Sequence, residues 1–133
     1  MPVVPRRTNR KPEHRLQQQI NKYFVANGRP DLVRVFFAIP NGGLRNFNVA
    51  RQLKNEGVRR GAPDLCFPLD RGRCGWLELK AKSGALSDEQ LGFAKNIMAL
   101  GHYWDCVRSV HEAARAFAAW GALKPGAALP EAA

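Results

Sequence analysis

No run of apolar residues in this 133-residue sequence is long enough to cross a bilayer. The N-terminal Met1-Pro2-Val3-Val4-Pro5-Arg6-Arg7 is basic but is not followed by the apolar stretch of a secretion signal. A membrane partner is therefore not expected. Cysteine is scarce and odd in number: Cys66, Cys74 and Cys106. None belongs to a C-x-x-C pair, and together with His102 they lack the spacing of a zinc site. Cys66 and Cys74 lie near one another on a candidate hairpin, so a disulfide is open in principle, although a reducing cytosol favours free thiols. There is no phosphate-binding G-x-x-x-x-G-K-[ST] loop and no G-x-S-x-G nucleophile elbow. His14, His102 and His111 are scattered, and each reads as structural or exposed rather than catalytic. Acidic residues are also few, 11 against 21 lysines and arginines, for a formal net charge of +10. With a pI near 10.3, a nucleic-acid partner is the leading electrostatic reading.

One domain accounts for this length. Residues 1–11 form a basic, proline-containing arm, expected to be flexible. Pro12 suits a helix start, and Leu16, Ile20, Tyr23 and Phe24 recur at helical spacing up to a stop at Gly28. Glu13 falls in the first turn, where it either complements the helix dipole or adds an acid to a metal site. Leu32–Ile39 is nearly continuous in apolar residues and reads as a buried strand. It runs into Pro40-Asn41-Gly42-Gly43, a turn whose glycines permit close backbone approach to a phosphate. A helix over 44–56 stops at Gly57 and carries Arg45, Arg51 and Lys54, with Arg59 and Arg60 just beyond. Such density suits phosphate contacts, or else a solvated helix face.

The central chemistry lies in Pro63-Asp64 and Glu78-Leu79-Lys80. Residues 64–67 and 76–80 read as two strands joined by the turn material Asp70-Arg71-Gly72-Arg73-Cys74-Gly75. Alternation places Glu78 and Lys80 on one face, with Leu77 and Leu79 on the other. Folding the hairpin brings Asp64 beside Glu78. Two adjacent carboxylates repel unless a cation sits between them, and Mg²⁺ needs only one or two carboxylates, keeping water and phosphate oxygens for the rest of its shell. Lys80 alongside can orient the attacking water and add positive charge. Downstream, Ser87-Asp88-Glu89-Gln90 is a capping box opening a helix that stops at Gly101. A strand over 103–108 follows. Ser109-Val110-His111-Glu112 then reads as a second capping box, for a helix reaching about Trp120. Residues 121–133 read as a flexible tail.

In this order the motifs resemble the virus-type replication-repair nuclease (VRR-NUC) family of the PD-(D/E)xK nuclease superfamily. The resemblance rests on Glu13 with Leu16-Gln17; Pro40-Asn41-Gly42-Gly43; Gly61-Ala62-Pro63-Asp64-Leu65; Leu77-Glu78-Leu79-Lys80; Gly84-Ala85-Leu86-Ser87-Asp88-Glu89-Gln90; and Leu100-Gly101-His102. It spans residues 12–120, and the G-V-P-D of the family reads G-A-P-D here. The resemblance implies an α/β fold, a PD-(D/E)xK restriction-endonuclease-like core with a mixed central sheet flanked by helices. It implies Mg²⁺, with Mn²⁺ as a substitute, held by Asp64, Glu78 and the Leu79 backbone carbonyl. Lys80 would position the water, Glu13 would reach the metal shell through water, and Gln90 would orient Lys80 or the water. Asn41 and Gly42 would line the DNA approach, with Arg45, Arg51, Lys54, Arg59, Arg60 and Lys82 as backbone contacts.

The short chain resembles stand-alone bacterial and phage members. That implies a cytoplasmic homodimer acting on branched DNA such as four-way junctions, its interface drawn from Phe36, Phe37 and Phe47. The alternatives are a non-catalytic nucleic-acid-binding module and another nuclease style of the same superfamily: flap nuclease, general nickase, exonuclease or restriction-type enzyme. The intact acidic set argues against the first. A short chain has little room for the base-reading loops a restriction-type enzyme needs.

Overall fold

The structure is a computed structural model that describes residues 11–40 and 47–132. Residues 1–10 of the basic arm, Asn41, Gly42 and Arg45 lie outside the described residues, and so does the Phe47 side chain, while Lys11 belongs to the first helix. Helix α1 (Lys11–Asn27) is followed by a short helix α2 (Pro30–Val33), strand β1 (Phe37–Ala38) and helix α3 (Phe47–Asn55). The hairpin β2 (Leu65–Pro68) and β3 (Cys74–Leu79) turns through a 3-10 segment, Asp70–Gly72. Helix α4 (Asp88–Ala99), strand β4 (Tyr103–Val107) and helix α5 (Val110–Ala119) complete the order. The four strands form one mixed sheet in the order β1-β2-β3-β4. The β1–β2 and β2–β3 pairs are antiparallel and β3–β4 is parallel, with α4 as the crossover.

Each face of the sheet has its own cover. Leu65, Phe67, Leu77 and Leu79 alternate onto one face and are buried there with Leu16, Ile20 and Phe24 of α1 and Phe117 of α5. Aromatic rings fill this layer. Phe67 lies 4.8 Å from Phe24 and 4.9 Å from Phe117, both edge-on, and stacks on Phe36 at 5.2 Å. Fully burying one such ring contributes about 1.5–3 kcal/mol, so this cluster dominates the core. The opposite face carries Asp64, Cys66, Trp76 and Glu78. There α4 packs across the sheet, with Phe93 edge-on to Trp76 at 5.5 Å.

The hairpin, the helices and the first capping box follow the sequence reading closely. The expected stop of α1 at Gly28 holds, and close packing enforces it, since a Cβ there would sit 2.7 Å from the Phe24 ring and carbonyl. Other expectations are corrected. The run 32–39 is not one strand: Pro30 and Asp31 start a helical turn that buries Leu32, and the strand is confined to Phe37 and Ala38, opposite Cys66 and Leu65, with the Ile39 amide donating to the Asp64 carbonyl at 2.8 Å just beyond it. The Ser109 side chain does accept from the Glu112 amide, but the Glu112 carboxylate accepts from the Arg108 amide instead of completing a box.

Residues 122–130, read as part of a loose tail, lie along α1. Leu123 bridges to Gly28, the Lys124 amide donates to the Asn27 carbonyl, and the Tyr23 hydroxyl donates to the Ala128 carbonyl. No described helix is long and apolar enough to cross a membrane.

Candidate active site

The register that pairs Leu65 with Leu77 places Asp64 opposite Glu78 at the open end of the hairpin. The Asp64 amide donates to the Leu77 carbonyl at 3.1 Å, so the pairing continues past the end of β2. The Asp64 carboxylate in turn accepts from the Leu79 amide at 2.8 Å. Its carboxylate is thus held against β3 by the backbone next to Glu78.

Glu78 is the only charged residue among the buried ones described, at 2% exposure. Its Oε1 accepts from the Gln90 side-chain amide. Gln90 is fixed from the other end, because its Oε1 accepts from the Ser87 amide at 2.9 Å while its own amide donates to the Ser87 hydroxyl. The capping box that starts α4 therefore also aims a donor at the buried Glu78 carboxylate. Glu78 Oε2 is buried with no donor to meet it, and what lies beside it is the Asp64 carboxylate. Burial first, and the adjacent Asp64 second, push the Glu78 carboxyl up to about 9, against a smaller opposing pull from Lys80 and a further push from Glu13. A buried oxygen without a donor and a second carboxylate beside it are oxygen ligands that fit a divalent cation, with the Lys80 ammonium just past the end of β3 as a separate positive group. Among the described residues no group of three His, Cys, Asp or Glu side chains converges on one point. The carboxylates of Asp64 and Glu78 form a pair with Glu13 nearby.

The pair opens into a cleft of about 1630 Å³. That exceeds the usual 300–1,000 Å³ of a small-molecule pocket and leaves room for a polymer. Glu13, Asp64, Glu78, Leu79 and Gln90 line it, and so do the basic residues Arg51, Lys54, Arg59 and Arg60. Lys82 stands apart, in a small pocket with Arg108, Ser109 and His111. The sequence reading missed His14, Gln18 and Asn21, which α1 presents to the cleft one and two turns apart. Helical spacing from Glu13 was the signal that could have found them.

Gly61 fixes the wall between these groups. Its φ of +84° is left-handed, and a Cβ there would fall 2.3 Å from the Glu89 carbonyl oxygen. The loop before Asp64 thus packs backbone-to-backbone on the first turn of α4 only because residue 61 has no side chain.

No family model matches the sequence, and no curated protein matches it. Among solved structures, the chain is similar to one described as a VRR_NUC domain protein, with a TM-score of 0.68 and 18% identity over 81% of this chain and 86% of the other. The chain therefore has a VRR-NUC fold, a mixed four-stranded sheet with flanking helices whose central hairpin carries Asp64, Glu78 and Lys80 at its open end.

Proposed function

We propose that this protein is a divalent-metal-dependent DNA endonuclease that hydrolyses phosphodiester bonds in branched DNA. The observation that carries the reading is the Asp64–Glu78 pair, with one buried carboxylate oxygen met by no donor, at the floor of a cleft with a basic rim. Asp64, Glu78 and the Leu79 carbonyl would hold Mg²⁺ or Mn²⁺. Bound there, such an ion acidifies water and neutralises the charge that builds on the phosphate. The protein's own groups do the rest. Gln90 keeps Glu78 oriented, and the Leu79 amide holds Asp64. Lys80, at the end of β3, orients the attacking water and offsets developing negative charge. Arg51, Lys54, Arg59 and Arg60 meet the phosphate backbone without reading bases.

Phe37 supports the branched-DNA part of the reading. It pairs in register with Cys66, so it shares the sheet face of Asp64 and Glu78, and it is 49% exposed in the cleft. An exposed ring beside the reacting phosphate offers a stacking surface to an unpaired base, which branch points supply and continuous duplex does not. Symmetric cutting of a four-way junction further requires a two-fold homodimer. Phe36 is committed to the aromatic core and is withdrawn from the candidate interface. The free thiols of Cys66, Cys74 and Cys106 suit a reducing cytoplasm.

The test is a cleavage panel of duplex, flap, splayed-arm and four-way-junction DNA in Mg²⁺, Mn²⁺, Ca²⁺ or EDTA, with light scattering for the assembly. Cleavage of branched substrates in Mg²⁺ or Mn²⁺, none in EDTA or Ca²⁺, and a dimer are expected. Undiminished cutting in excess EDTA sinks the metal mechanism. A monomer that cuts duplex and junction equally sinks the substrate assignment.

A further inference from the structure

Arg108 lies just past the end of β4, outside the cleft, yet it is bonded into the loop that leaves the site. Its Nη1 donates to the Ala81 carbonyl at 2.7 Å and to the Gly84 carbonyl at 2.6 Å. Those two carbonyls bracket a tight turn, in which the Gly84 amide donates back to Ala81 at 3.0 Å. The turn starts one residue after Lys80 and leads into Ser87 and Gln90. Lys80 is held on the same strand end, its amide donating to the Val107 carbonyl at 3.1 Å. The aliphatic stem of Lys80 runs over Gly84, close enough that a Cβ added to Gly84 would lie 3.4 Å from its Cδ. Arg108 is itself fixed, since its amide donates to Glu112 Oε1 at 2.9 Å on a helix capped by Ser109. A chain of hydrogen bonds thus runs from the N-terminus of α5 to the turn that supports Lys80.

We propose that Arg108 is a positioning residue: its guanidinium clamps the 81–84 turn as the platform on which Lys80 lies, and so sets where the ammonium stands beside Asp64 and Glu78. The catalytic half of this assignment rests on the nuclease reading. The clamp itself does not. Both bonds leave one nitrogen, Nη1, whose two N–H groups are held at fixed directions in the guanidinium plane, at the end of a side chain longer than that of lysine. A lysine offers a point charge and satisfies the two carbonyls less well, and methionine satisfies neither. Losing a residue that orients a reacting group typically costs about 10–100-fold in activity.

The experiment compares wild type, Arg108→Met and Arg108→Lys as full chains by two measurements. The first is backbone amide hydrogen exchange in metal-free, DNA-free protein. Arg108→Met should speed exchange at Lys80 and Gly84 by about tenfold or more, with Arg108→Lys intermediate and the amides of α1 unchanged. The second is cleavage of a four-way junction in Mg²⁺. The rate at saturation should fall by about 10–100-fold in Arg108→Met with KM within twofold of wild type, and Arg108→Lys should recover part of it. Unchanged exchange at Lys80 and Gly84 overturns the clamp, whatever the activity. Faster exchange with an unchanged saturated rate overturns the positioning role. A raised KM with an unchanged saturated rate makes Arg108 a phosphate contact and also overturns it. If the wild type cuts no DNA, the nuclease reading falls while exchange still decides the clamp. If Arg108→Met fails to fold by circular dichroism, Arg108→Lys carries both readouts.

Discussion

Replacing Glu78 by glutamine isolates what the buried carboxylate costs when no cation is present. In the fold Glu78 holds its proton up to about 9 against an ordinary value of 4.5, chiefly through burial and then through Asp64. The folded protein therefore binds more protons than the unfolded chain between those values. Stability from this group is complete below pH 4.5 and is lost as pH rises. Over the 2.5 pH units from 4.5 to 7, at about 1.4 kcal/mol per unit, the metal-free protein forfeits about 3 kcal/mol. Glutamine removes that penalty. Its carbonyl can still accept from Gln90, and its amide takes the place of Oε2, which no donor meets, facing Asp64.

The expected result is that Glu78→Gln is inactive yet more stable than wild type in EDTA. In urea at pH 7 its midpoint should rise by roughly 1–3 M, for a slope of about 1–3 kcal/mol per molar. The gap should narrow toward pH 5 and widen toward pH 8.5. Adding Mn²⁺ should stabilise the wild type, increasingly so at higher pH, and leave the variant unmoved. Parallel pH profiles for the two proteins in EDTA, or a variant less stable than wild type at pH 7, would refute the account of the site.

Lys80→Ala should lower turnover on junction DNA by at least about 10²-fold while gel-shift affinity is retained; a variant that cuts at the wild-type rate removes Lys80 from the chemistry. Arg59→Ala with Arg60→Ala should weaken binding evenly across sequences and shrink the log–log salt slope by about 2, measured by fluorescence anisotropy from 50 to 300 mM salt. Gly61→Ala should destabilise the fold by at least about 1–2 kcal/mol from its left-handed backbone alone. It should also lower activity, because the added Cβ meets the Glu89 backbone where α4 presents Gln90; unchanged melting and rate would contradict that packing. Phe37→Ala should weaken single-strand and junction binding by about 5–100-fold, spare blunt duplex, and be rescued by Phe37→Trp.

Much of this protein was legible in one dimension because its causes are local. The 3.6-residue recurrence of Leu16, Ile20 and Phe24, the Ser87–Gln90 cap, and the parity that sets Glu78 and Lys80 against Leu77 and Leu79 all arise between residues a few positions apart. The hairpin also follows from its turn, so the Asp64–Glu78 pair could be read from sequence. The run 32–39 could not, because an apolar run marks burial without saying by what. Here a proline-started turn buries Leu32, while Phe37 stays half open on the sheet face that carries the acids. The docking of 122–130 along α1 likewise depends on partners about a hundred residues away. The depth of the site is tertiary for the same reason. Glu78 becomes a buried, proton-holding acid only when α4 crosses the sheet and brings Gln90 to it. Lys80 gains its platform only when Arg108 arrives from the neighbouring parallel strand. The sequence supplied the reactive groups and their order, and packing between distant segments set their burial, charge state and aim.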